Sequence, residues 1–344
     1  MTQDAGERAA ELRSAAVSGQ RVLRDDFSEL SALLTHDDEE VRADAYHALS
    51  TAFDPDRETD RERIERLLTG DNGYRRLFGA RTLADSDLDG QVGEDSPEVG
   101  DLVVPLAALV TEDGPASAVD DHDTRASAPP RQFALDALAN IAKSRADEVA
   151  PVTEAVFAQF GSYDDEGRRQ ALWMATRLTR EHTAAVEAHV ETIAMALDGD
   201  DRLAERAIDL LGRVAATHPG RVEPHVDAIG AFLHEPEFDA SPVLTTLGQV
   251  ARAYPSAVES YTSHVVSLLP AESSLLTQRA VDLLSLVQAG QGGGVDVDRL
   301  LSSTTTLSAD DPERRYQAAV LYHALSRAPD LDTPTSIRET PADF

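Results

Sequence analysis

The chain of 344 residues has no cysteine, one lysine and one tryptophan. Without cysteine, disulfide frameworks, thiolate metal sites and cysteine nucleophiles are excluded together. With Lys143 as the single lysine, arginine supplies nearly all of the 31 basic residues, against 62 acidic ones and a formal charge of −31. A lysine-poor, strongly acidic chain suits molar salt, where carboxylates stay hydrated and their repulsion is screened to about 3 Å. We read the source as a halophile, so the charge describes the solvent more than the partners. The basic face needed to neutralise a duplex's phosphates is missing, which disfavours nucleic-acid binding. No stretch approaches the roughly 18 apolar residues of a membrane span. The N-terminal "MTQDAGERAAELRSAA" has no apolar signal region, and the expectation is a soluble, cytoplasmic protein. No P-loop, G-x-G-x-x-G or catalytic triad is visible either.

What is present is apolar material, 42% of the residues, and it is periodic. "VEAHVETIAMAL" begins at Val186 and "VEPHVDAIGAFL" at Val222. Laid beside Val149 and Val258, these stretches repeat at intervals of 37, 36 and 36 residues. Seven positions on stand Val156, Ile193, Ile229 and Val265, and eleven on stand Phe160, Leu197, Leu233 and Leu269. Apolar residues at those offsets share one helix face, so each stretch predicts an amphipathic helix. A second recurring helix centres on a small residue with an apolar or small neighbour four positions later. Its members are Ala45/Leu49, Gly79/Leu83, Ala134/Leu138, Ala171/Ala175, Ala207/Leu211, Val243/Leu247, Ala280/Leu284 and Ala318/Tyr322. The small side chain lets helices cross closely. One interval, between Gly79 and Ala134, is too long, and it contains the Pro/Ser/Asp-rich "TEDGPASAVDDHDTRASAPP" at 111–130, a loop that no helix tolerates. Eight helical pairs of roughly 36 residues therefore fill 26–328, the pattern of a solenoid in which each pair buries its face only on its neighbours.

These residues resemble the HEAT-repeat family. "THDDEEVRADAYHALSTAF" is similar to the HEAT signature, with Asp37 or Asp38 in the turn, then Val41, Arg42, Ala45 and Leu49. "TGDNGYRRLFGARTLADS" offers Asp71 with Arg75 or Arg76, and "SADDPERRYQAAVLYHALS" offers Asp310 or Asp311 with Arg314 or Arg315. The resemblance covers nearly the whole chain. It implies an all-α, right-handed α-α superhelix, an Asp–Arg ladder between repeats, and a concave face of second helices that binds other proteins. The repeats at Val243 and Ala280 depart from it in lacking the turn aspartate, and Ala204 interrupts the arginine column. Armadillo-type repeats fit the degenerate pattern at one or two positions as well.

Two chemical readings arise from the same register. HEAT-like metal-dependent hydroxylases need paired His-Glu motifs, and this chain offers only His234-Glu235 and a reversed Glu181-His182. His189 and His225 share a position that is Val152 and Tyr261 elsewhere, which marks them as half-buried residues of a repeat junction rather than a ligand column. The acidic connector "DSDLDGQVGED" is sharper. Asp85, Asp87, Asp89 and Gly90 match positions 1, 3, 5 and 6 of an EF-hand-like loop, but Ser96 stands where the bidentate glutamate belongs. A calcium site and a solvated acidic connector are the two readings of that stretch, and no other cofactor is expected.

On the second helices, offsets −1, +2 and +6 from the small residue point away from the core. These columns hold Phe78, Phe133, Arg206 and Arg279, then His47, Arg81 and Trp173, then Arg177 and Arg213, with Asp136, Asp209 and Asp282 interleaved. Aromatics and arginines are enriched at binding hot spots. The candidate partner-binding residues are therefore Trp173, Arg177, Arg206, Arg213, Phe133 and Arg279. The expected domain organisation is a capping helix at 1–25, the solenoid at 26–328 with its insertion at 111–130, and a flexible tail at 329–344. The expected function is a protein-interaction scaffold without catalysis. A HEAT-like enzyme or lyase acting on a small molecule, or a helical-repeat nucleic-acid binder, are the alternatives.

Overall fold

The computed structural model describes residues 2–19, 22, 26–55, 57–86, 100–111, 130–235, 237–268 and 274–290. These are helical, with no strand among the described residues. In chain order the α-helices are α1 Thr2–Val17, α2 Phe27–Leu33, α3 Glu39–Ala52, α4 Glu58–Leu68, α5 Gly73–Asp85 and α6 Gly100–Thr111. There follow α7 Pro130–Ile141, α8 Ala146–Val149, α9 Thr153–Ala158, α10 Asp165–Leu178, α11 Thr183–Glu187 and α12 Val190–Ala194. The series ends with α13 Asp201–Ala215, α14 Pro219–Val222, α15 Val226–Ala231, α16 Ala240–Ala251, α17 Thr262–Ser267 and α18 Ser274–Gly290. Among the described residues no helix is long and apolar enough to cross a membrane.

Contacts divide the chain into two units, 1–189 and 190–344. In the first, α3, α5, α7 and α10 stack in succession as second helices, each against its own first helix: α2, α4, α6 and α9. In the second, α13, α16 and α18 stack in the same way on α12, α15 and α17. Helix α1 lies against α3 and α2, with Ala9 and Leu12 buried and Arg8 bridging Asp26 and Glu29.

The periodic residues are the core. Ala45, Leu49, Leu83, Ala134, Leu138, Ala171, Ala175, Ala207, Leu211, Val243, Leu247, Ala280 and Leu284 all have 0% exposure. So do Val149, Val186, Val222, Val258, Val156, Ile193, Ile229 and Val265. Each such valine or leucine contributes roughly 1.5–3 kcal/mol by leaving water. The register read from spacing alone is thus the register of burial. Leu269 and the eighth pair, Ala318/Tyr322, lie outside the described residues, as do the insertion at 112–129 and the tail.

The helix caps correct the sequence reading in detail. Asp38, Asp164 and Asp200 cap α3, α10 and α13, each accepting from a backbone amide of the first turn. The cap of α5 is Asn72 rather than Asp71, accepting from Tyr74 and Arg75. The pair at Val243 does have a capping aspartate: Asp239 accepts from the Ser241 amide, one helical turn later than in its neighbours, and α16 is correspondingly short at 12 residues. An N-cap satisfies amides that the helix itself leaves unbonded, which is why the acid recurs. The implied Asp–Arg ladder takes another form at two positions. Arg42 donates to the carbonyls of His36 and Asp37 at 2.7 and 2.8 Å, and Arg168 to that of Gly161 at 3.4 Å. These arginines clamp their own turns.

The first helices of the later pairs are not continuous. Helices α8 and α9 are separated by a 3₁₀ turn at Ala150–Val152, and α14 and α15 by one at Glu223–His225. Pro151 and Pro224 stand in those turns, where a missing N–H and the ring's clash with the preceding turn prevent a regular α-helix. The break recurs at Ala188–His189, where no proline stands.

Two side-chain ladders link one pair to the next at these breaks. His189 faces Glu154 at 3.5 Å, His225 faces Glu191 at 3.5 Å, and Tyr261, at the same register, donates to Asp227 Oδ1 at 3.1 Å. Burial holds His189 toward its neutral form, against the pull of Glu154. The position eight residues after the repeat valine adjusts in size to what lies above it. Phe157 stacks on His189 with centroids 4.7 Å apart, whereas a Cβ on Gly230 would meet the Tyr261 ring at 2.3 Å. The second ladder starts from Arg145, His182, His218 and Tyr254, the N-caps of successive first helices, whose φ/ψ values of −137/55, −125/46, −131/62 and −131/64 are nearly superimposable. His182 reaches back to Asp147 at 2.5 Å, and Tyr254 lies over Gly220, where a Cβ would be 2.8 Å from its hydroxyl. The histidine shared by the stretches beginning at Val186 and Val222 is a rung of the first ladder, at the register that holds Val152 and Tyr261 elsewhere.

Candidate interaction surface

The second helices of the first unit form a continuous polar and aromatic row. Residues 81 and 85 of α5, 136 and 140 of α7, and 166, 169, 173 and 177 of α10 recur at helical spacing, so each set shares one face. At one end, the Arg81 guanidinium is held between the Tyr46 ring, 4.5 Å away, and the Phe133 ring, 5.5 Å away. Tyr46 stacks on Phe78 and donates a short hydrogen bond to Asp85 Oδ2, which also faces Arg81 at 3.7 Å. Burial and that carboxylate raise the Tyr46 hydroxyl above its ordinary range, so it stays a donor. Asn140 donates to the Ala84 carbonyl at 2.7 Å and ties α7 to the end of α5.

In the middle lies Asp136. Burial, then the nearby Glu166 and Asp85 carboxylates, push its carboxyl from 3.8 up to about 7, and its Oδ1 has no hydrogen-bond partner. Glu166 is itself satisfied by Arg169 at 2.6 Å and Gln170 at 2.9 Å. A carboxyl raised by folding binds its proton more tightly in the native state than in the unfolded chain. Its contribution is therefore lost as pH rises from about 4 to about 7. In thermal unfolding at pH 5 and pH 8, wild type is expected to lose more stability across that interval than Asp136→Asn, in which the titration is absent. Equal losses would show that Asp136 does not titrate there.

At the other end stands Trp173, the chain's only tryptophan, half-buried. Lys143, the only lysine, places its ammonium 5.6 Å from the ring centroid, and the Arg177 guanidinium is 5.4 Å away. Both distances are within cation–π reach. The Arg177 Nε is buried without a hydrogen-bond partner.

The structure brings some of the sequence candidates together and separates others. Trp173 and Arg177 share one cluster. Phe133, expected on the outward column, is 8% exposed, and Phe78 is 7% exposed; both pack beneath the row because α5 and α7 approach closely enough to cover offset −1. Arg206 and Arg213 belong to the second unit and are exposed, with Arg213 paired to Asp209 at 2.9 Å one turn away. Arg279 is also in that unit and donates to the Ser241 hydroxyl of the preceding second helix. Of the calcium-loop residues, Asp87 and Asp89 lie outside the described residues, and the described Asp85 oxygen already faces a guanidinium that competes with a cation. Asp147, Glu181 and His182 place ligand atoms within 4.8 Å of one another, so the reversed Glu-His pair does acquire an acidic neighbour. Both carboxylates are exposed to water, and the His182–Asp147 pair needs no ion. Lys143 and Asp136 were missed as site residues. Lys143 is conspicuous as the single lysine, and Asp136 stands in the outward column, but nothing in the spacing tells that one reaches the tryptophan and the other is half-buried.

No protein-family model matches the chain, and no curated protein matches it. Among solved structures it is similar to yeast importin-beta, with a TM-score of 0.52 and 16% sequence identity over 89% of this chain. The chain folds as a HEAT-like α-solenoid. The likeness spans 40% of the importin-beta chain, and at that identity it concerns the fold alone. In the first unit the row of second helices carries Trp173, Lys143 and Arg177.

Proposed function

We propose that the chain is a non-catalytic protein-interaction scaffold whose second-helix row in the first unit receives a partner. The observation that carries this reading is the Lys143–Trp173–Arg177 cluster, which concentrates the chain's only lysine and only tryptophan at one partly exposed place. Tryptophan and arginine anchor interfaces because they offer large contact area and directed donors at little entropic cost. The likeness to importin-beta supports a solenoid fold for that scaffold. Among the described residues, a cavity beside Asp85, lined by Ser50, Phe53, Pro55, Thr82, Asp85 and Ser86, is about 220 Å³, below the roughly 300–1,000 Å³ of small-molecule sites, so this cavity is a poor candidate for one.

Affinity capture from the native cell extract tests the reading. A protein retained by wild type and lost on Trp173→Ala/Arg177→Ala, with circular dichroism unchanged, is the expected result. If the same proteins are captured by both, this row is not the interface.

A further inference from the structure

The chain has two asparagines, Asn72 and Asn140, and the first of them precedes a glycine. Asn72 caps α5, whereas Asp38, Asp164, Asp200 and Asp239 cap α3, α10, α13 and α16. Either side chain supplies the oxygen that a first turn needs. The amide differs in that its nitrogen can leave as ammonia. Gly73 is exposed, and among the described residues a Cβ on it would meet nothing within 4 Å, so no neighbouring group packs over this turn.

We propose that Asn72–Gly73 is a site of spontaneous deamidation, closed while the α5 cap is formed and opened when the first turn of α5 frays. The Gly73 main-chain nitrogen attacks Asn72 Cγ and closes an imide ring. The bond from Cγ to the amide nitrogen breaks, and the proton given up by Gly73 leaves with ammonia. Water then opens the ring. Cleavage between the Gly73 nitrogen and Cγ gives aspartate with the main chain intact; cleavage between that nitrogen and the Asn72 main-chain carbonyl carbon gives isoaspartate, in which the chain runs through Cγ. Water is consumed and ammonia released, with no oxidant, reductant or cofactor.

Glycine favours the first step, because without a Cβ its nitrogen is unhindered and its backbone rotates freely. The cap opposes it. Asn72 Oδ1 accepts from the Tyr74 and Arg75 amides at 3.0 and 3.3 Å, and a ψ of 123° turns the Gly73 nitrogen away from Cβ. Ring closure needs that nitrogen to eclipse Cβ, a rotation that breaks both cap bonds and the bond from the Arg76 amide to the Asn72 carbonyl. Reaction therefore proceeds from the locally opened turn, whose population the cap keeps small. The two products differ in consequence. Aspartate restores the cap that α3, α10, α13 and α16 use, whereas isoaspartate adds a methylene to the main chain and takes the cap oxygen out of register. Asn140 is an internal control: it precedes the β-branched Ile141, and its side-chain nitrogen is held by the Ala84 carbonyl at 2.7 Å.

Full-length protein is incubated at mildly alkaline pH, folded and in guanidinium chloride, then cleaved after arginine, and the peptide carrying Asn72 is followed by liquid chromatography and mass spectrometry. In the unfolded chain Asn72 is expected to give two separable products of equal mass, aspartate and isoaspartate, while Asn140 keeps its amide over the same time. In the folded chain the conversion is expected to be slower by about tenfold or more. Gly73→Ala places its methyl in open space, so it is expected to keep the fold and to slow conversion in the unfolded chain by about tenfold. Retention of the Asn72 amide in the unfolded chain, or an unchanged rate in Gly73→Ala, would overturn the site. Equal rates in the folded and unfolded chains would overturn its control by the cap.

Discussion

Replacing Gly230 with alanine is expected to lower stability by about 1–3 kcal/mol, although alanine is the better helix former by roughly 0.5–1 kcal/mol. The added methyl would sit 2.3 and 2.4 Å from carbons of the Tyr261 ring, closer than any real contact permits. The ring must then swing away and give up its hydrogen bonds to the Asp227 carbonyl and carboxylate at 3.2 and 3.1 Å. Steric and hydrogen-bond losses together exceed the propensity gain, so the sign is destabilising. Tyr261→His should restore stability in the Gly230→Ala background, because histidine holds the equivalent place at His189 and His225, where the residue beneath it is Phe157 or Ala194. A double-mutant cycle in urea measures the coupling. Additive effects would show that the ladder at this junction does not set the size of the residue below it.

A strong dependence of stability on salt is the second large effect. The 62 acids outnumber the 31 basic residues two to one, so even complete pairing leaves 31 carboxylates uncompensated. Their mutual repulsion destabilises the folded state relative to the expanded chain, across a Debye length of about 30 Å at about 0.01 M salt and about 3 Å at about 1 M. Between those two conditions Tm is expected to rise by roughly 10 °C or more, at roughly 2–4 °C per kcal/mol for domains of this order of size. Potassium chloride and sodium chloride should act alike if screening is the cause. A flat Tm would mean that the acids are too far apart to repel, and would remove the physical basis for reading the composition as halophilic.

The two effects differ in how far the sequence foretold them. Salt dependence follows from composition, which needs no coordinates. The Gly230–Tyr261 contact does not. Its two residues are 31 positions apart and on successive repeats, and each alone is unremarkable: a glycine in a helix and a tyrosine in a histidine's register.

The same division runs through the whole molecule. Spacing located the buried residues because each repeat packs mainly on its neighbours, so one local period dictates one buried face, and Ala45, Ala134, Ala171, Ala207 and Ala280 all lie at 0% exposure. Helix caps were legible to within a few residues, since a cap is a local hydrogen bond: Asn72 replaced Asp71, and Asp239 supplied a cap one turn late. Outward columns were read less well. Offset −1 holds both the exposed Arg206 and the buried Phe133. A helical wheel gives the direction of a side chain and says nothing of how near the next helix comes.

By itself, then, the sequence determined the all-α repeat, its register, its charge and its lack of thiol chemistry, because these depend on residue identity and on separations along one helix. The tertiary structure alone decided which residues meet across repeats. It set Lys143 against Trp173, put Arg81 between Tyr46 and Phe133, placed the half-buried Asp136 near Glu166 and Asp85, and made His189 and His225 rungs on Glu154 and Glu191. Such contacts depend on the distance and rotation between stacked helices. Those quantities are set by the sum of packing over many side chains, which the period of the sequence does not record.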